Sequence, residues 1–385
     1  MLKRLLVLAF CAAFALVVQI ACGSSTCSTS NCTGCCDSTG QCQSGNSSQA
    51  CGASGTTCSS CSFNQVCSAG FCTTLFNGGG GGGGTGGGDG GQNDSGFNPD
   101  SGFNPDGGSS DAGSGWAALT AVTTDTLYGM WGISPTFALA VGNAGTTIQW
   151  DGSRWTTANP GPGTLFGVWG SDTSNIWAVG IAGNLVHWDN VNANWQLASP
   201  PTSNVLNDIH GTGTNNIWAV GGGGTAIRNT GTGWSLTSVP VSTELRGVHT
   251  FGPLDTWAVG VGGVMLHWDG NWLQGQGVTA SDLEAVWGAS SSDVWAVGAA
   301  GAMAHWNGGG WSLVSGVTTV PLYDVWGTST TNVYAIGGGG TVLHWNGSVW
   351  NTETTNTTTT MRSLWGFTAN DVLVVGSFGL NYRRR

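Results

Sequence analysis

Six histidines and a scatter of carboxylates are the side chains of this sequence best suited to chemistry, and their spacing sorts them. His187, His267, His305 and His344 each precede a Trp at one place in a recurring segment, where other copies carry Gln149, Arg228 and Arg383. A polar side chain at one position of every copy, alternating with an apolar pair such as Val186 and Trp188, reads as a structural hydrogen bond fixing unit against unit. His210 and His249 stand where other copies have Trp. Two imidazoles can begin a metal site, but no carboxylate or thiol is fixed beside them in sequence. They are read as filling an aromatic slot, and no metal or other cofactor is expected. Glycoside hydrolysis needs two facing carboxylates. Residues repeated copy after copy serve a scaffold, so a catalytic acid should break the repeat. Asp208, Glu244, Asp282, Glu284, Asp324 and Glu353 do so. An arginine triad would require Arg154, Arg228, Arg246 and Arg362 to converge from different positions in their copies, which argues against one. The Gly-x-x-Gly segments join strand to strand, with no helix N-terminus to hold a phosphate.

The element that must position these residues is a repeat over residues 116–385. A clean copy runs Leu165-Phe-Gly-Val-Trp-Gly, Asn175-Ile-Trp-Ala-Val-Gly180, Gly183-Asn-Leu-Val-His-Trp188 and Trp195. Its first anchor recurs at Trp131, Trp169, His210, His249, Trp287, Trp326 and Trp365, a period near forty residues that points to propeller blades. Each unit offers four short strands, A to D. Asp151-Gly152, Asp269-Gly270, Asn307-Gly308 and Asn346-Gly347 mark C–D hairpins in which both central residues should take positive φ. Asn175, Asn216, Asp255, Asp293, Asn332 and Asp371 precede strand B and should satisfy local backbone donors there. The seventh copy lacks strand D, whereas Gly115-Trp116-Ala-Ala-Leu resembles a strand D without a blade. The expected fold is therefore an all-β, seven-bladed propeller of four-stranded blades, closed by pairing residues 116–121 with the last blade. Asp208, Glu284 and Asp324 fall on or near strand A. With His210 and His249 they are the candidate residues of an axial channel.

Composition agrees with short strands and many turns: the 385 residues include 68 Gly and 21 Trp, and 8% are charged. A net charge of -11 without a basic stripe excludes a nucleic-acid partner. Ahead of the repeat lie three further regions. Residues 1–21 read as a signal peptide, with Lys3 and Arg4 before the apolar run Leu5–Val18, too short to span a bilayer as a permanent helix. Residues 22–76 are a Cys-rich module too small to fold unaided. Its Cys27, Cys32, Cys35, Cys36, Cys42, Cys51, Cys58, Cys61, Cys67 and Cys72 are even in number, and behind a signal peptide they are expected in disulfides of unassigned connectivity. Residues 77–115 are a Gly-rich, acidic, flexible linker, in which Asp-Ser-Gly-Phe-Asn-Pro occurs twice.

Gln19-Ile20-Ala21-Cys22-Gly23 resembles a bacterial lipobox, which implies lipidation of Cys22, and Gly23 resembles the next residue of lipoproteins sent to the outer membrane. The pattern VWG, WAVGxxG, HWxG and W resembles the repeats of predicted surface propellers of Gram-negative bacteria. These share the order lipobox, Cys-rich module, tether and propeller. More distantly it is similar to photosystem-assembly-factor-like and Kelch propellers. The resemblance implies a fold and a lipid-anchored outer-membrane location, with a secreted or periplasmic one as alternative, and hardly any activity. The expected function is noncatalytic binding by a monomer, touching the membrane through its lipid alone. The partner is a glycan or an extracellular protein, met by the polar D–A loops 157–164, 197–205, 236–244, 274–282, 313–321 and 352–360. A glycan-active hydrolase or lyase with acidic residues at the axis is the alternative.

Overall fold

The structure is a computed structural model that describes residues 115–189 and 194–385, together with seven short strands between Cys35 and Thr74. The chain divides into two units, 1–99 and 100–385. In the first, Cys35–Cys36 pairs with Cys42–Gln43 and Thr56–Thr57, and Gln65–Ser68 forms a hairpin with Phe71–Thr74. The signal segment, Cys22, the linker to residue 114 and any pairing among the module's cysteines lie outside the described residues.

The second unit is a seven-bladed propeller of four-stranded antiparallel blades. Blade 2 is typical: A is Leu165–Asp172, B Asn175–Gly180, C Leu185–Asp189 and D Asn194–Leu197. Blade 7 takes A, B and C from the end of the chain and D from its beginning. Trp116–Ala118 pairs with Asn381–Arg384 in the register Arg384↔Trp116 and Tyr382↔Ala118. The closing strand spans three residues rather than the six expected: Leu119 N adds one further backbone bond to the Asn381 carbonyl, and the chain then leaves the sheet.

Alternation explains the burial. In strand B the residues of Ala-Val-Gly and their equivalents are buried between blades, and the recurring tryptophans fill the gaps between sheets. Trp218 packs edge-on against Trp272 and Trp268 of the next blade at 5.1 and 4.9 Å. The B–C turn needs glycine at both ends for different reasons. A Cβ on Gly221, whose backbone is extended, would lie 1.9 Å from the Val205 carbonyl oxygen, whereas Gly224 has a left-handed φ of +70°.

Two local expectations are corrected. In the C–D hairpins only the glycine has positive φ, as at Gly152, Gly308 and Gly347. The preceding Asp or Asn instead accepts backbone bonds: Asp151 Oδ1 from Ser153 and Arg154, Asn346 Oδ1 from Ser348 and Val349. The Asn or Asp ahead of strand B does not accept the turn's backbone donors either; Asn175, Asn216 and Asn332 instead donate across the A–B turn to the hydroxyls of Ser171, Thr212 and Thr328. Asp172, Ser290 and Ser329, at the end of strand A, accept those backbone donors.

Candidate functional site

What the pre-B residue does is hold the polar residue of strand C, twelve positions on. His267 Nε2 lies 2.8 Å from Asp255 Oδ1, His305 Nε2 2.7 Å from Asp293 Oδ1, and His344 Nε2 2.7 Å from Asn332 Oδ1. Each ring stacks on the strand B aromatic of its own blade, as His305 does on Trp295 at 4.1 Å and His344 on Tyr334 at 4.3 Å. His187 lies against Trp177 at 4.6 Å with its ring tilted by 55° rather than stacked. These bonds therefore brace each blade internally and not blade against blade. The arginines at this position do bridge. Arg383 binds Asp371 and reaches the Gly152 carbonyl of blade 1, and Arg228 reaches the Pro253 carbonyl of blade 4.

The inner strands surround an axial cavity of about 130 Å³, lined in part by Asp208, His210, His249 and Asp324 with Trp169, Trp287, Trp326 and Trp365. Asp208 and Asp324 occupy the third position of strand A, which is Gly or Ala in four other blades and Ser363 in blade 7. Asp208 Oδ1 accepts from Ile209 N at 2.8 Å and Oδ2 from Val248 N of blade 4 at 2.8 Å. Asp324 repeats this with Val325 N and with Leu364 N and Ser363 Oγ of blade 7. Burial pushes both carboxyls up to about 7, against the backbone hydrogen bonds that pull the other way. His210 and His249 stack at 4.2 Å. Burial brings His210 down to about 4 and His249 well below its ordinary value. His210 Nδ1 accepts the Thr250 N–H at 3.1 Å, so its neutral ring carries the proton on Nε2. Asp208 and His210 thus satisfy alternate backbone donors along the inner edge of blade 4. Among the described residues no group of three or more His, Cys, Asp or Glu is placed to hold a metal ion.

Glu284, the remaining channel candidate, does not line this cavity. It is the second residue of its strand A, and the pairing register of all seven blades skips that residue, leaving it as a bulge. The bulge residues are Tyr128, Phe166, Asn207, Arg246, Glu284, Tyr323 and Arg362. Several touch around the axis, at the end of strand A that receives the D–A loops. The Tyr128 and Phe166 rings are 5.3 Å apart, and Asn207 Nδ2 donates to Glu244. Arg246 pairs with Glu284 and lies 3.3 Å from Asp282 and 3.6 Å from Glu244. The Arg362 guanidinium lies 4.2 Å from the Tyr323 ring and 5.9 Å from Tyr128. Burial raises the Glu284 carboxyl despite Arg246. Sequence reasoning gave Glu284 as a channel candidate and set Arg246 and Arg362 aside as lying at different positions of their copies, whereas those two are equivalent in the ring. The available signal is that the position after the first Leu or Met of strand A is aromatic, amide or charged from copy to copy while its neighbours repeat.

No protein family and no curated protein matches the chain. Solved propellers are similar to it in fold. One described as YCF48 bound to D1 peptide shares 19% identity at a TM-score of 0.59, covering 70% of this chain and 96% of that one. YCF48 from Cyanidioschyzon merolae shares 16% at 0.57, covering 70% and 98%. Virginiamycin B lyase from Staphylococcus aureus shares 10% at 0.62, again covering 70% and 98%. At such identities the likeness is one of architecture: the chain is a β-propeller protein distantly similar to these.

Proposed function

We propose that this chain is a noncatalytic binding scaffold, held outside the cytoplasm by a lipid on Cys22 and a flexible tether, that engages a protein partner through the D–A loop face. The observation that carries the reading is the bulge ring. Seven equivalent positions on a repeated framework hold side chains of five residue types, aimed by a bulge at one mouth of the axis. Repeated residues hold the ring together; residues that differ at one equivalent position distinguish partners. A peptide is bound to one of the similar propellers, which suits a protein ligand here. Noncatalysis is supported by the engagement of Asp208 and Asp324: both oxygens of each carboxylate hold backbone donors.

The test is retention of extracellular proteins on the immobilised full chain and on a variant with Arg246, Tyr323 and Arg362 changed to Ala. A partner held by the parent and released by the variant is expected; equal retention sinks the reading. The two buried carboxyls raised to about 7 favour the glycan-active alternative. Cleavage of a polysaccharide, lost in Asp208→Asn, would establish it.

A further inference from the structure

We propose that Arg362 is the receptor for a carboxylate on a peptide partner, and that the opposite arc of the mouth takes a cationic residue of the same peptide. This deepens the binding-scaffold reading and rests on it. The two arginines of the bulge ring are in opposite situations. Arg246 is shared by three carboxylates, Glu244, Asp282 and Glu284. Arg362 is in direct contact with none: among the described residues it makes no ion pair, Glu284 feels its charge only from a distance, and its Nε–H is buried without an acceptor. Its guanidinium is held flat on Tyr323 at 4.2 Å with Tyr128 beyond. With Nε buried, the two Nη groups of the stacked guanidinium remain as the paired in-plane donors, and such a pair matches the two oxygens of a carboxylate.

The charge pattern chooses the ligand class. One side of the mouth offers Arg362; the other has three carboxylates around one guanidinium, an excess of negative charge. A polyuronate would meet Arg362 favourably and the acidic arc unfavourably. A peptide carrying an acidic and a basic residue satisfies both. The cavity beneath, about 130 Å³, suits a side chain rather than a chain of sugar rings. A second departure from the repeat lies in the same blade. Phe378, in the B–C turn of blade 7, holds a left-handed φ of 56° and is 78% exposed. Ser377 N bonds to the Thr360 carbonyl, two residues before Arg362, so this aromatic ring stands on the same face. A bulky residue kept in that conformation, where other copies have Ala or Gly, supplies apolar contact area on that face.

The experiment presents the full chain to an array of Gly/Ser/Tyr peptides carrying one Asp and one Lys at successive spacings. Controls have Asn for Asp or Gln for Lys, and oligoglucuronate is spotted beside them. Binding should need both charges and weaken about tenfold or more in Arg362→Gln, with only partial recovery in Arg362→Lys, which cannot offer the planar pair. Arg154→Gln, on a C–D hairpin, should bind as the parent does, and circular dichroism melts confirm that each variant is folded. Peptide binding indifferent to Arg362→Gln would overturn the receptor assignment, oligoglucuronate binding through Arg362 would overturn the peptide, and silence across the array would overturn both. None of these touches the scaffold reading, which the retention experiment judges separately.

Discussion

Asp208 and Asp324 sit in blades 3 and 6, each bridging to the inner strand of the blade that follows, and each holds its charge at a cost. A carboxyl whose folded pKa is about 7, against 3.8 ordinarily, binds more protons folded than unfolded between those values. Its contribution to stability is complete below the ordinary carboxyl range and is lost as pH rises through about 7. His210, lowered to about 4 from 6.5, acts oppositely: its contribution is complete above 6.5 and is lost as pH falls through about 4. The pairs therefore offset each other in mildly acidic solution. Removing one unmasks the other. In Asp208→Asn/Asp324→Asn, the difference in Tm from the parent should shift in the variant's favour from pH 5 to pH 8. Melts with a constant or opposite difference would show that the carboxylates are not ionising within the fold. The bracing histidines make a separate prediction: Asp293→Ala leaves His305 Nε2 without its acceptor and should cost about 2 kcal/mol in urea unfolding.

At the scale of elements, the B–C turn and the A-strand bulge are the two devices that every blade repeats. The turn places two successive residues in the left-handed region, and non-glycine residues occupy the first of these at Ala144, Ala182, Ala300 and Phe378. Ala300→Gly should raise stability by about 1 kcal/mol, because glycine carries no Cβ penalty there. Gly221→Ala should lower it by about 3 kcal/mol through collision with the Val205 carbonyl. Both follow from thermal melts, and reversed signs would mean that the turn geometry is wrong. The bulge has the complementary role. It removes one residue of strand A from pairing, so that residue is free to vary without altering the sheet.

At the largest scale, the propeller unit is a ring closed by the three residues Trp116–Ala118. Trp116 is buried, and its indole Nε1 donates to Glu353 of blade 6, so the closing strand ties blade 7 to its neighbour as well as completing it. Deleting residues 116–118 exposes strand C of blade 7 and removes that tie. The melt should broaden and its midpoint fall; a cooperative melt at the parent temperature would refute the role given to closure. For the lipid anchor proposed on Cys22, Cys22→Ser should abolish incorporation of labelled palmitate and release the protein from membranes, and unchanged labelling would dismiss the proposal.

The sequence by itself determined the number of blades, the order of strands in each, and the closure. These depend on local chemistry: a period near forty, glycines that no other residue can replace in a tight turn, and tryptophans wide enough to fill the space between sheets. It also marked Asp208, His210, His249 and Asp324 as departures from the repeat, and all four line the axial cavity. Only the tertiary structure decided which groups meet. Asp293 and His305 are twelve residues apart, and nothing in their spacing says that they pair within a blade. Arg362 and Tyr323 are adjacent only because two successive blades turn their bulges toward one axis. Pattern in a chain reports the backbone's periodicity; contacts around a ring arise from the angle between sheets, which no single repeat contains.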